Sequence, residues 1–164
     1  RWNPQRRRVG SRLYLEGWAL YGERRLWELG FAQGPEDRVG MLFWRAHRCA
    51  RILFALNFHR GNWSPEECVD FLVEQVGHER RNATAEVRRS IQGGYGPLYQ
   101  CAYMLGGLQL RALHRELVEQ GGWTERAFHD AVLRQNSMPI EFLRAALGSS
   151  ALEREPPVAW RFQG

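Results

Sequence analysis

The chain has 164 residues, 44% of them hydrophobic, and carries a net charge of +5. That length fits one domain and the composition is globular, which excludes a disordered chain. No apolar run approaches the ~20 residues that cross a bilayer, and no signal peptide is visible.

All 23 basic residues are Arg. Acids are interspersed with them everywhere except the block Arg6-Arg7-Arg8, so the charge speaks for solubility and against a nucleic-acid partner. Cys49, Cys68 and Cys101 lie far apart without a CxxC, which implies free, mostly buried thiols and a reducing, cytoplasmic compartment. The opening Arg1-Trp2-Asn3-Pro4 reads as mid-chain sequence. A longer protein is therefore expected, with room for an upstream signal peptide.

The first element is a helix from Ser11, a capping residue, to about Gly30. Pro35-Glu36-Asp37 opens a second helix that reaches about His59. Ser64-Pro65-Glu66-Glu67 has the composition of a capping box and starts a third, ending near Gly77. A polar helix follows from about Arg80 to Ile91, and Gly93-Gly94-Tyr95-Gly96-Pro97 breaks it. A long helix carries Leu98 through Leu117 and closes at Gly121-Gly122; it contains Gly106-Gly107, a pair that weakens a helix and predicts close approach of another backbone. Thr124 caps a sixth helix, and Ile140 to Leu147 forms a seventh. The tail Pro156 to Phe162 is expected to be extended. The fold class is all-α: an irregular array of about seven helices in a single domain, 1–164.

Glu16 is the only charged residue between Leu13 and Gly22. Large apolar side chains there point in nearly every helical direction, so this segment is expected to be buried on most sides. A buried carboxylate needs a metal ion, an arginine or a ring of donors beside it. The arginine candidates are Arg12, Arg45 and Arg48.

The string Glu16-Gly17-Trp18-Ala19-Leu20-Tyr21 resembles the EGWALY motif of the bacterial family catalogued as domain of unknown function 885, which is similar to gluzincin-type zinc metallopeptidases. Trp44-Arg45-Ala46-His47-Arg48, Phe58-His59 with Trp63-Ser64, Glu86-Val87-Arg88-Arg89, Pro97 through Tyr103, Phe128-His129-Asp130 and Met138-Pro139-Ile140 resemble further family segments. Ala55-Leu56-Asn57 departs from the family's Asp-x-Gly, and Tyr99, Gln100 and Ala102 replace its Gln, Ala and Ser. An HExxPGH-type motif is missing. His78-Glu79-Arg80-Arg81-Asn82 lacks the second histidine of a zinc-binding HExxH and is expected to be a solvated turn.

The resemblance implies the C-terminal helical part of a zinc peptidase acting on a peptide-like substrate. Glu16 would be the third zinc ligand, and the two histidines and the base glutamate would lie in the upstream part of the same chain. A carboxylate third ligand suits catalytic zinc, which keeps one position open for water. Tyr103 is the candidate oxyanion donor, His59 and Tyr99 candidate lining residues, and Arg89 a candidate receptor for a terminal carboxylate. His47, His114 and His129 are expected to be structural. With one ligand of three, the 164-residue chain by itself is expected to be inactive. A non-catalytic helical interaction or scaffold module, with Glu16 paired to an arginine, is the competing reading.

Overall fold

The computed structural model describes residues 10–92, 94–148, 160 and 162. Seven α-helices make up the described chain, without strands: α1 (Arg12–Glu28), α2 (Pro35–His59), α3 (Pro65–Val76), α4 (Arg80–Gln92), α5 (Cys101–His114), α6 (Glu125–Gln135) and α7 (Ile140–Leu147). The Arg6-Arg7-Arg8 block and most of the predicted extended tail lie outside the described residues.

Local chemistry sets the helix starts. The Ser11 hydroxyl accepts from the Tyr14 N–H (3.3 Å), and the Thr124 hydroxyl accepts from the Ala127 N–H (3.2 Å). At α3 the capping box is complete: the Glu67 N–H donates to the Ser64 hydroxyl, and the Ser64 N–H donates to the Glu67 carboxylate at 2.7 Å. Gly77, at φ 81°, ends α3 with a left-handed cap that other residues adopt with strain.

One boundary differs from the expectation. The long helix starts at Cys101 and not at Leu98, because Leu98 itself holds a positive φ of 62° inside a turn. Beyond His114 it continues to Glu119 as a single π-helical segment.

The chain divides into two compact units, Arg25–Met104 and Arg1–Arg24 with Leu105–Gly164. In the central unit, α3 packs on α2 and α4. Its core includes Phe54, Cys68, Val69, Leu72, Ala83 and Val87, all buried. In the terminal unit, Tyr14 and Tyr21 of α1 share a core with Leu110, Leu113, Phe128, Val132, Ile140 and Leu143. Trp160 joins it from the tail; its indole N–H donates to Glu116 (2.8 Å), and the Arg144 guanidinium lies over its ring.

Candidate functional site

The central unit contains a buried polar network that begins on α2. His47, Arg51, Phe54 and Phe58 recur at three- and four-residue spacing, so they share one helical face. Arg51 is buried on that face, and its Nε donates to the Glu86 carboxylate of α4 at 2.7 Å. The Arg51 guanidinium also lies over the Tyr103 ring, 5.1 Å from its centroid. Arg89 closes the other side, donating to the second oxygen of Glu86 at 2.8 Å. Burial works to raise the Glu86 carboxyl, but the hydrogen bond and charge of Arg51, with Arg89 and His47, hold it below the usual carboxylate range.

His47 and His78 extend the network. Their rings meet through a 2.7 Å bond between His47 Nδ1 and His78 Nε2. His47 Nε2 is buried without a hydrogen-bond partner, 3.8 Å from Glu86. Burial, aided by the Arg51 charge, pushes His47 down to about 4, and His78 is lowered by the same two causes. Both imidazoles are therefore neutral at pH 7 and share one proton across their bond. The string expected to be solvated is exposed from Glu79 to Asn82, but His78 itself departs from that expectation. The imidazole is half-buried against Phe43, Trp44 and His47, whereas Gly77 before it and Glu79 to Asn82 after it are exposed.

Three tyrosines run away from Arg51 on the other side. Tyr99 and Tyr103 meet edge to face at 6.1 Å, and Tyr95 stacks on Tyr99 at 4.4 Å. A small cleft opens beside them, lined in part by Phe58, His59, Ser90, Tyr99 and Gln100. Four of the five residues singled out in the sequence therefore fall in this unit. Tyr99, Tyr103 and Arg89 are linked through Arg51 and Glu86, and His59 joins Tyr99 along the cleft.

The fifth, Glu16, belongs to the terminal unit and is half-buried on α1. The expectation that its segment is buried on most sides is not met. Tyr14, Gly17, Leu20 and Tyr21 form one buried stripe, whereas Leu15 and Ala19 are exposed. Contacts from the motif's own aromatic residues fix the helix in place. The Tyr21 hydroxyl lies 2.9 Å from His129 Nε2, and Trp18 meets the same imidazole edge to face. His129 in turn faces Glu125 at 3.6 Å, and the other Glu125 oxygen lies 2.9 Å from the buried His114.

Sequence reasoning passed over Arg51 and quoted Glu86 within a family segment without giving it a role, yet these two residues join the predicted ones. The available signal was the spacing of His47, Arg51, Phe54 and Phe58, which places an arginine on an otherwise core-facing stripe.

The profile of a bacterial protein family of unknown function, DUF885, matches residues 2–147. The chain belongs to this family. No curated protein matches it. It is also similar to a solved crystal structure, described as that of a candidate lipoprotein from Colwellia psychrerythraea, at 28% identity and a TM-score of 0.75. That match covers 82% of this chain and 23% of the neighbour, so the chain spans about a quarter of the neighbour's length. The cytoplasmic placement expected from the cysteines gains no support from a lipoprotein neighbour. No described helix is long and apolar enough to cross a membrane.

Proposed function

We propose that this DUF885 region is the C-terminal helical part of a zinc-dependent peptidase-like hydrolase, and that Glu16 is one of its metal ligands. The intact Glu16–Tyr21 motif in a chain of this family carries the reading. The half-buried position of Glu16 supports it, since a ligand carboxylate has to reach a shared site while its helix stays fixed. Buried Tyr14 and Tyr21 fix that helix, the former through its hydroxyl bond to the Val132 carbonyl at 3.1 Å.

Among the described residues no group of three His, Cys, Asp or Glu side chains could hold a metal ion. In the proposed reading Glu16 is one corner of a zinc site, and the remaining ligands come from elsewhere in a family-length chain. When bound, zinc would activate a water molecule for attack on a peptide or related amide. In this reading Tyr103 donates to the developing oxyanion, His59 and Tyr99 line the substrate path, and Arg89 receives a terminal carboxylate.

The test is metal analysis of a family-length chain carrying this sequence, with and without Glu16→Gln. Glu23→Gln on the same helix is the control. Loss of most bound zinc in Glu16→Gln alone is the expected result. Equal zinc in all three proteins would remove Glu16 from the coordination sphere.

A further inference from the structure

Helix α2 is buried on one side and apolar on another. Its packed side carries His47, Ala50, Arg51, Phe54 and Ala55. On the other side Val39, Leu42, Ala46, Cys49, Leu53 and Leu56 all stand exposed, and the four large ones keep 40–65% of their surface in solvent. Their spacing alternates three and four residues without interruption by a charge, which is the row one helix presents to a second lying alongside it. The row extends for about 25 Å along the axis, the scale of a partner helix and not of a small ligand. The two smallest side chains, Ala46 and Cys49, sit at its middle, where a crossing helix approaches closest.

An uninterrupted apolar row of this length on a helix is normally covered by another element. Along its length the row is bordered by Arg38 and by Arg45, whose guanidinium lies over Trp27, with Glu36 in the first turn as the acidic neighbour of Val39. The solved neighbour shows where cover can come from, because the matched region is only 23% of that chain. We infer that the α2 row is a docking face for an amphipathic helix from the part of a family-length chain outside these 164 residues. That helix carries its own apolar row, bordered by Asp or Glu opposite Arg38 and Arg45. The inference rests on packing and length and is independent of the zinc chemistry.

Cys49 reports on it directly. It is exposed in the row, whereas Cys68 and Cys101 are buried. Alkylation by N-ethylmaleimide, followed by peptide mass mapping, gives its reaction rate. The rate should be at least tenfold slower in a family-length chain than in the 164-residue chain, and Leu53→Glu in the longer chain should restore most of it. Equal rates in the two wild-type chains would overturn the inference. So would protection that grows with the concentration of the 164-residue chain, since a second copy would then be the occupant. Zinc content should be unaffected by Leu53→Glu, so failure here and failure of the metal assignment are separable.

Discussion

Gly17 and Gly106 meet backbone to backbone: a methyl group on Gly17 would lie 2.6 Å from the Gly106 Cα, and one on Gly106 would lie 2.9 Å from the Gly17 Cα. The glycine of the EGWALY string is thus a packing residue, the point where α1 and α5 cross without side chains between them. A Cβ on Gly106 would also overlap the Leu13 carbonyl oxygen. Backbone cannot step aside as a flexible side chain can, so the helices would have to separate.

Gly17→Ala and Gly106→Ala should therefore each destabilise the protein by about 3 kcal/mol, at the upper end of overpacking costs. Gly22, on the same helix as Gly17, has nothing within 4 Å of the position a Cβ would take. There the same substitution should be neutral or stabilising by up to about 1 kcal/mol, from helix propensity alone. Urea melts of the three variants compare these effects. Equal stability of Gly17→Ala and Gly22→Ala would show that α1 and α5 do not cross here.

The Arg51–Glu86 pair makes an asymmetric prediction. Glu86→Gln leaves the buried Arg51 guanidinium without its counter-charge and should cost on the order of 3 kcal/mol. The double variant Arg51→Met with Glu86→Met removes both charges and should recover a large part of that loss. A double-mutant cycle by chemical denaturation measures the coupling. Additive losses would mean the pair does not act as a unit.

Stability should also depend on pH through the His47–His78 pair. The unfolded chain binds a proton on His47 near the ordinary 6.5, whereas the folded chain resists it until about pH 4. This contribution is complete above 6.5 and is lost as pH falls from 6.5 toward 4, by an amount on the order of 3 kcal/mol. The lowered values of His78 and Glu86 act in the same direction. Melts at pH 7.5 and pH 4.5 should differ clearly in wild type and by much less in His47→Phe. An identical pH dependence in both would remove His47 as its source.

Much of this architecture was legible in the chain. Ser11, Ser64 with Glu67, and Thr124 marked helix starts because capping is local chemistry, and Gly106-Gly107 announced a close approach because nothing else explains two glycines inside a helix. Leu98 was misread: a leucine at positive φ carries no sequence signal, and its turn is fixed by what packs around it. The environment of His78 was illegible for a similar reason, since its partner His47 lies 31 residues away. The roles of Arg51 and Glu86 escaped notice because an arginine and a glutamate on helices are ordinary until the fold buries them against each other.

If Glu16 is the single zinc ligand here, as proposed, and with no two histidines at HExxH spacing in the sequence, the 164-residue chain should hydrolyse no peptide substrate when supplied with zinc. Chelator-sensitive hydrolysis by this chain would mean that it holds a complete site of its own.

The most direct measurement is an anomalous difference map at the zinc edge from crystals of a family-length chain carrying this sequence. The account predicts a peak about 2.0–2.2 Å from a Glu16 carboxylate oxygen. A Glu16 side chain paired with an arginine, with the zinc peak elsewhere or missing from zinc-grown crystals, would contradict it.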